Sequence, residues 1–321
     1  MKLRKIYTFV LVLLLGVFLA ACDNEEEKTY SILMPQGIPA IALGNLLTDA
    51  NINFTIVDGP SVLGSELMNN NYDIIVAPVI LGAQLYTKGK NNYKLQSVIT
   101  EGNTFLVSKI SKRVNDLKEL EGKKIAAYGE NTAPDITMKA ALVKAGVDLS
   151  KVEIVYENSV SDVLSNRFLV DDTIDYILTA EPIVSKMKIA LAAKIGEIDV
   201  IDLSEELKSE VDLIAQAGIY IRKDIETLPT QLLNKIKNNI NKLNNETENY
   251  VKSLFEYDGE YSSVFSSLGE SIVLTSIPNS SIVYKKAVDY KTSLDKYFAM
   301  INKYNSNILS GKEICEDFYQ E

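Results

Sequence analysis

The feature that most constrains the fold is a repeated alternation, after residue 29, of short apolar runs with longer segments of helical periodicity. Short apolar runs predict strands, and the periodic segments between them predict helices. The first series places strands at residues 30–34, 54–57 and 73–77, and the second places them at 124–128, 152–156 and 174–179. Strands that alternate with helices predict parallel sheets covered on both faces, and two series predict two lobes.

The remaining segments set the expected lobe boundaries. Residues 95–100 and 105–108 are predicted as strands between the two series, and residues 200–203 and 214–221 as strands that close the second series. From residue 228 onward the pattern predicts helices only. We therefore expect an α/β chain whose first lobe comprises residues 30–104 and 223–321 and whose second lobe comprises residues 105–222.

Proline marks the junctions between strands and helices. Six of the eight prolines fall where a predicted strand gives way to a helix, namely Pro35, Pro39, Pro60, Pro78, Pro134 and Pro182. Proline suits the first helical turn, where its missing N–H is not needed. In parallel α/β sheets these junctions share the carboxyl edge, where ligands bind. Each proline alone could simply start a helix, so the case for a site rests on the whole set.

The N-terminus has the pattern of an export signal. Lys2, Arg4 and Lys5 precede an uncharged apolar run that ends in small residues before Cys22, which predicts a signal peptide over residues 1–21. Residues 22–29 are expected to form an acidic linker. The alternative is a single N-terminal anchor helix, although the apolar stretch falls just short of the roughly 18 to 20 residues that a membrane span needs.

Composition excludes several kinds of chemistry. The chain has no histidine and a formal net charge of −10. Without imidazole, Ser-His-Asp and Cys-His catalysis and histidine-ligated metals are excluded. An acidic chain is a poor partner for nucleic acid. The sequence contains no glycine-rich phosphate-binding motif of the kind that binds nucleotides. We therefore expect no cofactor, and no metal. If Cys22 is modified, Cys315 has no partner for a disulfide.

Several motifs, in this order, resemble one family of transport proteins. They are Met34-Pro-Gln-Gly-Ile-Pro-Ala40, Asp73-Ile-Ile-Val-Ala-Pro78, Asp116-Leu-Lys-Glu-Leu-Glu-Gly-Lys-Lys-Ile-Ala126, Ala180-Glu-Pro182, Ile277-Pro-Asn-Ser280 and the closing segment from Gly311-Lys to Asp317-Phe-Tyr319. The chain resembles the ABC-transporter solute-binding lipoproteins of the nitrate, sulfonate and taurine class, whose relatives include binders of pyrimidines and thiamine precursors. It departs from that class where Glu313-Ile-Cys315 stands in place of a proline.

The resemblance implies a fold and a place in the cell. The fold would be the two-lobed, type II periplasmic-binding-protein-like fold, with the ligand held in a cleft between the lobes. The Leu-Ala-Ala-Cys ending resembles a lipobox, which implies a palmitate-bearing lipid anchor on Cys22 at the extracytoplasmic face of the cell membrane. The implied partners are a small-molecule solute and an ABC permease. The protein would be a monomer and a non-enzyme, and it would not bind nucleic acid.

The resemblance also implies a set of ligand-binding residues. They are Gln36, Gly37, Ile38, Pro78 and Val79 in the first lobe, and Tyr128, Gly129, Asn131, Thr132, Asn158, Ser159 and Glu181 in the second. Amide side chains both donate and accept hydrogen bonds, so Gln36 and Asn131 are the strongest candidates. Thr132 and Ser159 could instead act only as helix caps.

The charges of the predicted cleft segments bear on the ligand. These segments are residues 35–39, 58–61, 77–81, 101–103, 128–135, 157–161 and 180–182. None of them contains Lys or Arg, whereas they contain Asp58, Glu101, Glu130, Asp135, Glu157 and Glu181. A bidentate clamp on an oxyanion is therefore not visible, and we predict a neutral or cationic ligand, such as a nitrogen heterocycle or a vitamin precursor, with Tyr128 as a stacking face. Alternatively, some of these acids point away from the cleft.

Two other functions stay open at this level. A hydrolase could use two of Glu101, Glu130, Glu157 and Glu181 as acid and base, although solvated acids at helix N-termini explain these residues more simply. The thiamine-pyrimidine synthases that share the fold depend on histidine and iron, and this chain has no histidine. A sensory or adhesive lipoprotein could use the same two-lobed fold without a transporter.

Overall fold

The computed structural model of the protein describes residues 28–58, 60–225, 228 and 230–320. The predicted signal peptide and Cys22 lie outside these residues. Within them, no helix is long and apolar enough to cross a membrane. The strands are β1 Tyr30–Pro35, β2 Ile52–Val57, β3 Ile74–Pro78, β4 Tyr93–Glu101, β5 Phe105–Lys109, β6 Lys124–Tyr128, β7 Glu153–Glu157, β8 Tyr176–Thr179, β9 Ile198–Asp202, β10 Ala215–Arg222 and β11 Ile282–Lys286.

Helices cover both faces of the sheets. The α-helices are α1 Ile38–Leu43, α2 Pro60–Glu66, α3 Val79–Thr87, α4 Ala133–Lys144, α5 Val160–Asp162, α6 Ile183–Ile189, α7 Ala192–Ile195, α8 Leu203–Leu207, α9 Thr230–Asn245, α10 Thr247–Glu256, α11 Ser262–Ser266, α12 Glu270–Ser276 and α13 Lys291–Tyr304. The helix after β7 continues from α5 as a π-helix over Val163–Phe168. Most elements agree in type with the sequence prediction, which confirms the α/β class.

The first lobe is built on a six-stranded sheet in the order β11-β4-β10-β3-β1-β2. β1 pairs in parallel with β2 and β3, whereas β10 and β11 run antiparallel to their neighbours. Ile32, Leu33 and Met34 of β1 are fully buried, because helices pack on both faces of a central parallel strand.

The second lobe is built on a five-stranded sheet in the order β7-β6-β8-β5-β9. β6 pairs in parallel with β7 and β8, and β5 runs antiparallel to β8 and β9. The β6 residues Ile125, Ala126 and Ala127 are fully buried. In each sheet the parallel strands end at one edge, where the loops that follow them face the other lobe.

The position of β10 corrects the predicted lobe boundary. β10 was expected to close the second series, but it lies in the six-stranded sheet between β3 and β4. The second lobe therefore ends before Ala215 instead of at residue 222. The sequence pattern of β10 would suit a strand of either sheet. The antiparallel pairing of Ala217 with Pro78 and Thr100 assigns it to the six-stranded sheet.

The two connections between the lobes consequently lie at residues 102–104 and 203–214. Gly102 and Asn103 in the first connection both have left-handed backbones, with φ of 56° and 53°. A Cβ atom at Gly102 would come within 2.5 Å of Ser204 Oγ in the second connection, so glycine is needed where the two connections touch.

The C-terminal helix α13 holds the second connection. Ser293 Oγ donates to Asp212 at 2.9 Å, and the Tyr304 hydroxyl donates to Glu210 at 2.9 Å. Lys303 also pairs with Glu210. These contacts tie residues 210–212 to the C-terminal helix. The first connection is also bonded on both sides, since the Gly102 N–H donates to the Ile214 carbonyl at 2.9 Å and the Leu203 N–H donates to the Thr104 carbonyl at 3.0 Å.

The expectation of helices only after residue 228 is also wrong at one position. β11 forms an antiparallel edge strand against β4, with an irregular register between Ile282 and Lys285. The strand is short and ends in Lys285 and Lys286, which is typical of an edge strand protected against further pairing. Its brief apolar run is too short for sequence periodicity to separate from the surrounding helices.

Candidate ligand-binding cleft

A cavity of about 330 Å³ lies between the carboxyl edges of the two sheets. Both lobes supply its walls, together with the first connection between them. The residues that line it are Pro35, Gln36, Gly37, Ile38, Pro39, Asp58, Pro78, Thr100, Asn103, Val160, Ser161, Ala180, Glu181, Pro182, Ile183, Gln216, Ala217, Val264, Ser267 and Leu268. This volume is at the lower end of the range for small-molecule sites.

The loop between β1 and α1 forms one wall. Gly37 has a left-handed backbone with φ of 86° and precedes α1, whose first turn contains Pro39. This turn leaves Gln36 exposed, and its Nε2 donates to Asp58 Oδ1 at 2.5 Å. The amide and the carboxylate thus form one polar unit contributed by the loops after β1 and β2.

Glu181, after β8, forms the opposite wall. It is only 5% exposed. Its carboxylate accepts hydrogen bonds from the backbone N–H of Ser185 at 2.9 Å and from Ser185 Oγ at 3.0 Å. Burial raises the pKa of the Glu181 carboxyl, while Ser185, Lys188 and Asn279 act in the opposite direction. The side chain therefore joins the N-terminal end of α6 to the cavity wall.

Asn103 connects this wall to the first connection between the lobes. Its Oδ1 accepts from the Glu181 backbone N–H at 2.7 Å, and its Nδ2 donates to the Glu181 carbonyl at 3.4 Å. Gln216 of β10 donates to the Asn103 carbonyl at 3.4 Å. One buried asparagine thus bonds to residues of both lobes where the chain crosses between them.

The structure brings five of the sequence-predicted site residues to this cavity. They are Gln36, Gly37, Ile38, Pro78 and Glu181. Val79, although adjacent to Pro78, is fully buried in the core, and its carbonyl accepts from the Tyr220 hydroxyl at 2.9 Å. Its side chain supports α3 and does not line the cavity.

The predicted residues after β6 lie away from the cavity. Tyr128 packs against two buried apolar clusters. Thr132 Oγ1 donates to the Gly129 carbonyl at 2.6 Å, and the Asn131 backbone N–H donates to Asp135 Oδ2 at 2.8 Å. The Asn131 carbonyl accepts from Gln84 of the first lobe at 3.4 Å. This loop therefore forms a contact between the lobes instead of part of the cavity wall.

The loop after β7 contributes residues next to the predicted ones. Val160 and Ser161 line the cavity, whereas Asn158 and Ser159 do not. Ser159 Oγ accepts from the backbone N–H of Asp162 at 3.1 Å, which is the capping role left open for it. Thr132, by contrast, makes no side-chain cap bond to α4.

Several lining residues were not among the predicted site residues. Asn103 lies in the first connection, Thr100 and Gln216 lie on adjacent antiparallel strands, and Val264, Ser267 and Leu268 lie in and after α11. The antiparallel β10 and the helical region after residue 228 carry no junction pattern that would mark them. Asp58, Asn103, Val160 and Ser161 do fall within the predicted cleft segments, although none of them is among the predicted site residues.

The acids of the predicted cleft segments divide into two groups. Asp58 and Glu181 line the cavity, and no Lys or Arg is among the described lining residues. Glu101 pairs with Lys285, Glu157 with Arg167 and Asp135 with Lys139. Three of the six acids therefore have basic partners of their own, and Glu130 is exposed and does not line the cavity. Of the four acids considered for a hydrolase, Glu181 alone lines this cavity.

The described residues of this cavity offer neither a metal-binding group nor an aromatic stacking face. They contain no group of three or more Cys, Asp or Glu side chains placed to hold a metal ion. No aromatic side chain is among the described lining residues, and Tyr128 does not reach them. The predicted stacking face is thus not brought to this site.

Comparisons with known proteins agree with this geometry. Residues 69–223 match the family model described as NMT1/THI5 like. A crystal structure of an ABC transporter protein from Parabacteroides distasonis is similar at 20% identity, with a TM-score of 0.73, covering 92% of this chain and 99% of that one. No curated protein sequence matches the chain.

Two further solved structures define the fold. The periplasmic aliphatic sulphonate binding protein SsuA of Escherichia coli has 12% identity and a TM-score of 0.67, covering 89% of this chain and 90% of that one. The CA3427 product of Candida albicans, described as having the generic periplasmic binding protein fold, has 13% identity and a TM-score of 0.58, covering 88% and 94%. The predicted periplasmic-binding-protein fold is confirmed.

Proposed function

We propose that this chain is an extracytoplasmic solute-binding lipoprotein that delivers a small neutral or cationic solute to an ABC importer. The observation that carries the proposal is the cavity between the two lobes, lined from both sides by the loops at the carboxyl edges of the sheets. The similar folds of the Parabacteroides distasonis ABC transporter protein and the Escherichia coli sulphonate binding protein support a role in transport. A lipid anchor on Cys22 would hold the protein beside its permease.

The ligand's charge is proposed from the walls of the cavity. Asp58 and Glu181 are acidic, and the described lining contains no base that could clamp an oxyanion. Sulfonate or nitrate would then depend on backbone N–H groups alone, beside two carboxylates. A solute without negative charge avoids this repulsion.

Isothermal titration of the purified protein against thiamine, an aminomethyl-pyrimidine, taurine, an alkanesulfonate and nitrate tests the charge of the ligand. We expect no binding of the anionic sulfonate or of nitrate, because the acidic walls oppose negative charge. Micromolar or tighter binding of a sulfonate, with no binding of a neutral or cationic compound, would contradict the proposed charge.

Binding should also close the lobes on the ligand by a hinge. The strands that separate the two series in the sequence suggest hinge segments near residues 105–108 and 219–222, but both segments lie inside the two sheets. The rotation should instead occur where the chain crosses between the two sheets, at residues 102–104 and 203–214, because these segments lie outside both sheets. Small-angle scattering should therefore show a smaller radius of gyration when ligand saturates the protein. An unchanged radius in a sample shown to be liganded would argue against closure.

A further inference from the structure

We propose that the solute is an aliphatic primary or secondary ammonium compound, and that Asp58 and Glu181 hold its cationic group from opposite lobes. The inference rests on the proposed function and narrows it from a neutral or cationic solute to one chemical class. It depends on three properties of the cavity: its aliphatic lining, the lack of basic partners for its two carboxylates, and its free hydrogen-bond acceptors.

The apolar part of the lining is aliphatic. Ile38, Val160, Ile183, Val264 and Leu268 lie around the cavity together with several prolines and alanines, and no Phe, Tyr or Trp is among the described lining residues. Flat heterocycles are usually bound by stacking on aromatic rings, and quaternary ammonium groups by aromatic cages. Neither mode is supplied here, whereas an alkyl chain fits aliphatic walls.

The two carboxylates lack basic partners. No Lys or Arg among the described residues lies within ion-pair distance of Asp58 or Glu181, unlike Glu101, Glu157 and Asp135. Lys188 acts on Glu181 from a longer distance. A buried carboxylate without an ion-pair partner is destabilised, so a cation in the cavity would stabilise Glu181.

The carboxylates also have hydrogen-bonding capacity left for N–H groups. Ser185 supplies two donors to the Glu181 carboxylate and Asn279 a further one, whereas an ionised carboxylate has about four acceptor positions. The Gln36 Nε2 group donates to Asp58, which leaves the Gln36 amide oxygen as a further acceptor. Acceptors on both lobes suit an ammonium group, which donates and cannot accept.

The arrangement also couples the charge of the ligand to closure. Asp58 belongs to the loop after β2 in the first lobe, and Glu181 to the loop after β8 in the second. Two like charges facing one cavity repel each other when it is empty. A cation between them replaces repulsion by attraction to both lobes, so the charged ligand should stabilise the closed form more than its neutral analogue does.

The test is titration calorimetry of the full chain in detergent with matched probes. The ammonium probes are 1,4-diaminobutane, 1,5-diaminopentane and pentylamine, and the comparison probes are 1,5-pentanediol, pentanesulfonate, 4-aminopyrimidine and choline. We expect at least one ammonium probe to bind with micromolar affinity, and the diol at least 100-fold more weakly. Binding of no ammonium probe overturns the inference.

Charge-neutralising variants locate the binding group. Asp58→Asn and Glu181→Gln should each weaken binding of the best ammonium probe roughly tenfold or more, the size expected for a lost charge-assisted hydrogen bond. Glu130→Gln is the control, because Glu130 is exposed and does not line the cavity; it should change the affinity less than twofold. Equal affinity in all three variants overturns the inference.

The experiment separates this inference from the proposed function. Glu181→Gln could weaken α6, so its folding is checked by its melting temperature, and Asp58→Asn provides an independent test because Asp58 is exposed. Binding of 4-aminopyrimidine, choline or pentanesulfonate instead of the amines would overturn the aliphatic ammonium class and leave solute binding intact. If no probe binds, and native mass spectrometry finds no small molecule retained from a metabolite extract, both proposals are wrong.

Discussion

Replacing Cys22 by alanine should abolish the incorporation of a palmitate analogue into this protein. If Cys22 is the first residue of the mature lipoprotein, its thiol is the site of the lipid, and alanine offers no group to modify. The Cys22→Ala protein should accumulate as an uncleaved precursor or as a released form. Metabolic labelling followed by separation of membrane and soluble fractions measures both effects.

The matched control is Cys315→Ala. Cys315 is the other cysteine of the chain, and it is exposed and free, so it would account for labelling that depends only on a reactive thiol. We expect full labelling of the Cys315→Ala protein and none of the Cys22→Ala protein. Equal labelling of the Cys22→Ala protein and the wild type would contradict the lipoprotein proposal and leave the proposed ligand site unaffected.

The fold could be predicted from the sequence wherever a strand was followed by a helix. β6 has the predicted bounds, and Pro39 and Pro134 lie in the first turns of α1 and α4. These local patterns report burial and helix entry, which neighbouring residues determine. β10 was assigned to the wrong lobe because strand pairing is a long-range property. Its partners Thr100 and Pro78 are more than a hundred residues away along the chain.

The site was predictable only in part, for a related reason. The carboxyl-edge rule selects the loops after β1, β3 and β8, and the structure places Gln36, Pro78 and Glu181 of these loops at the cavity. It does not say which loops of an edge face the cavity. The loop after β6 instead bonds internally through Thr132 and Asn131 and contacts Gln84.

The charge of the cavity walls could also be predicted only in part from the sequence. Counting acids in loops treats all of them as facing the ligand, whereas ion pairs depend on residues from distant segments. Lys285, which pairs with Glu101, is far away in sequence on β11, a strand that the periodicity did not reveal. Of the six acids, Asp58 and Glu181 line the cavity, and neither has a basic partner within ion-pair distance among the described residues.

Replacing Gly82 by alanine should lower the free energy of unfolding by about 2 kcal/mol or more, the cost typical of an overpacked core. Gly82 lies in α3, and a Cβ atom there would overlap the ring and hydroxyl of Tyr220. Tyr220 is fully buried, its hydroxyl donates to the Val79 carbonyl at 2.9 Å, and its ring lies 6.1 Å from that of Phe318. The ring therefore cannot move aside without losing that hydrogen bond or disturbing Phe318.

The matched control is Gly64→Ala in α2. The nearest atom to a Cβ at Gly64 is Leu81 Cδ1 at 3.7 Å, an ordinary contact. Because alanine has a higher helix propensity than glycine, this variant should raise the free energy of unfolding by about 0.5 to 1 kcal/mol. Urea unfolding followed by circular dichroism measures both variants. A Gly82→Ala protein as stable as the wild type would contradict this prediction. It would show that the Tyr220 ring can move aside to make room for the added methyl group.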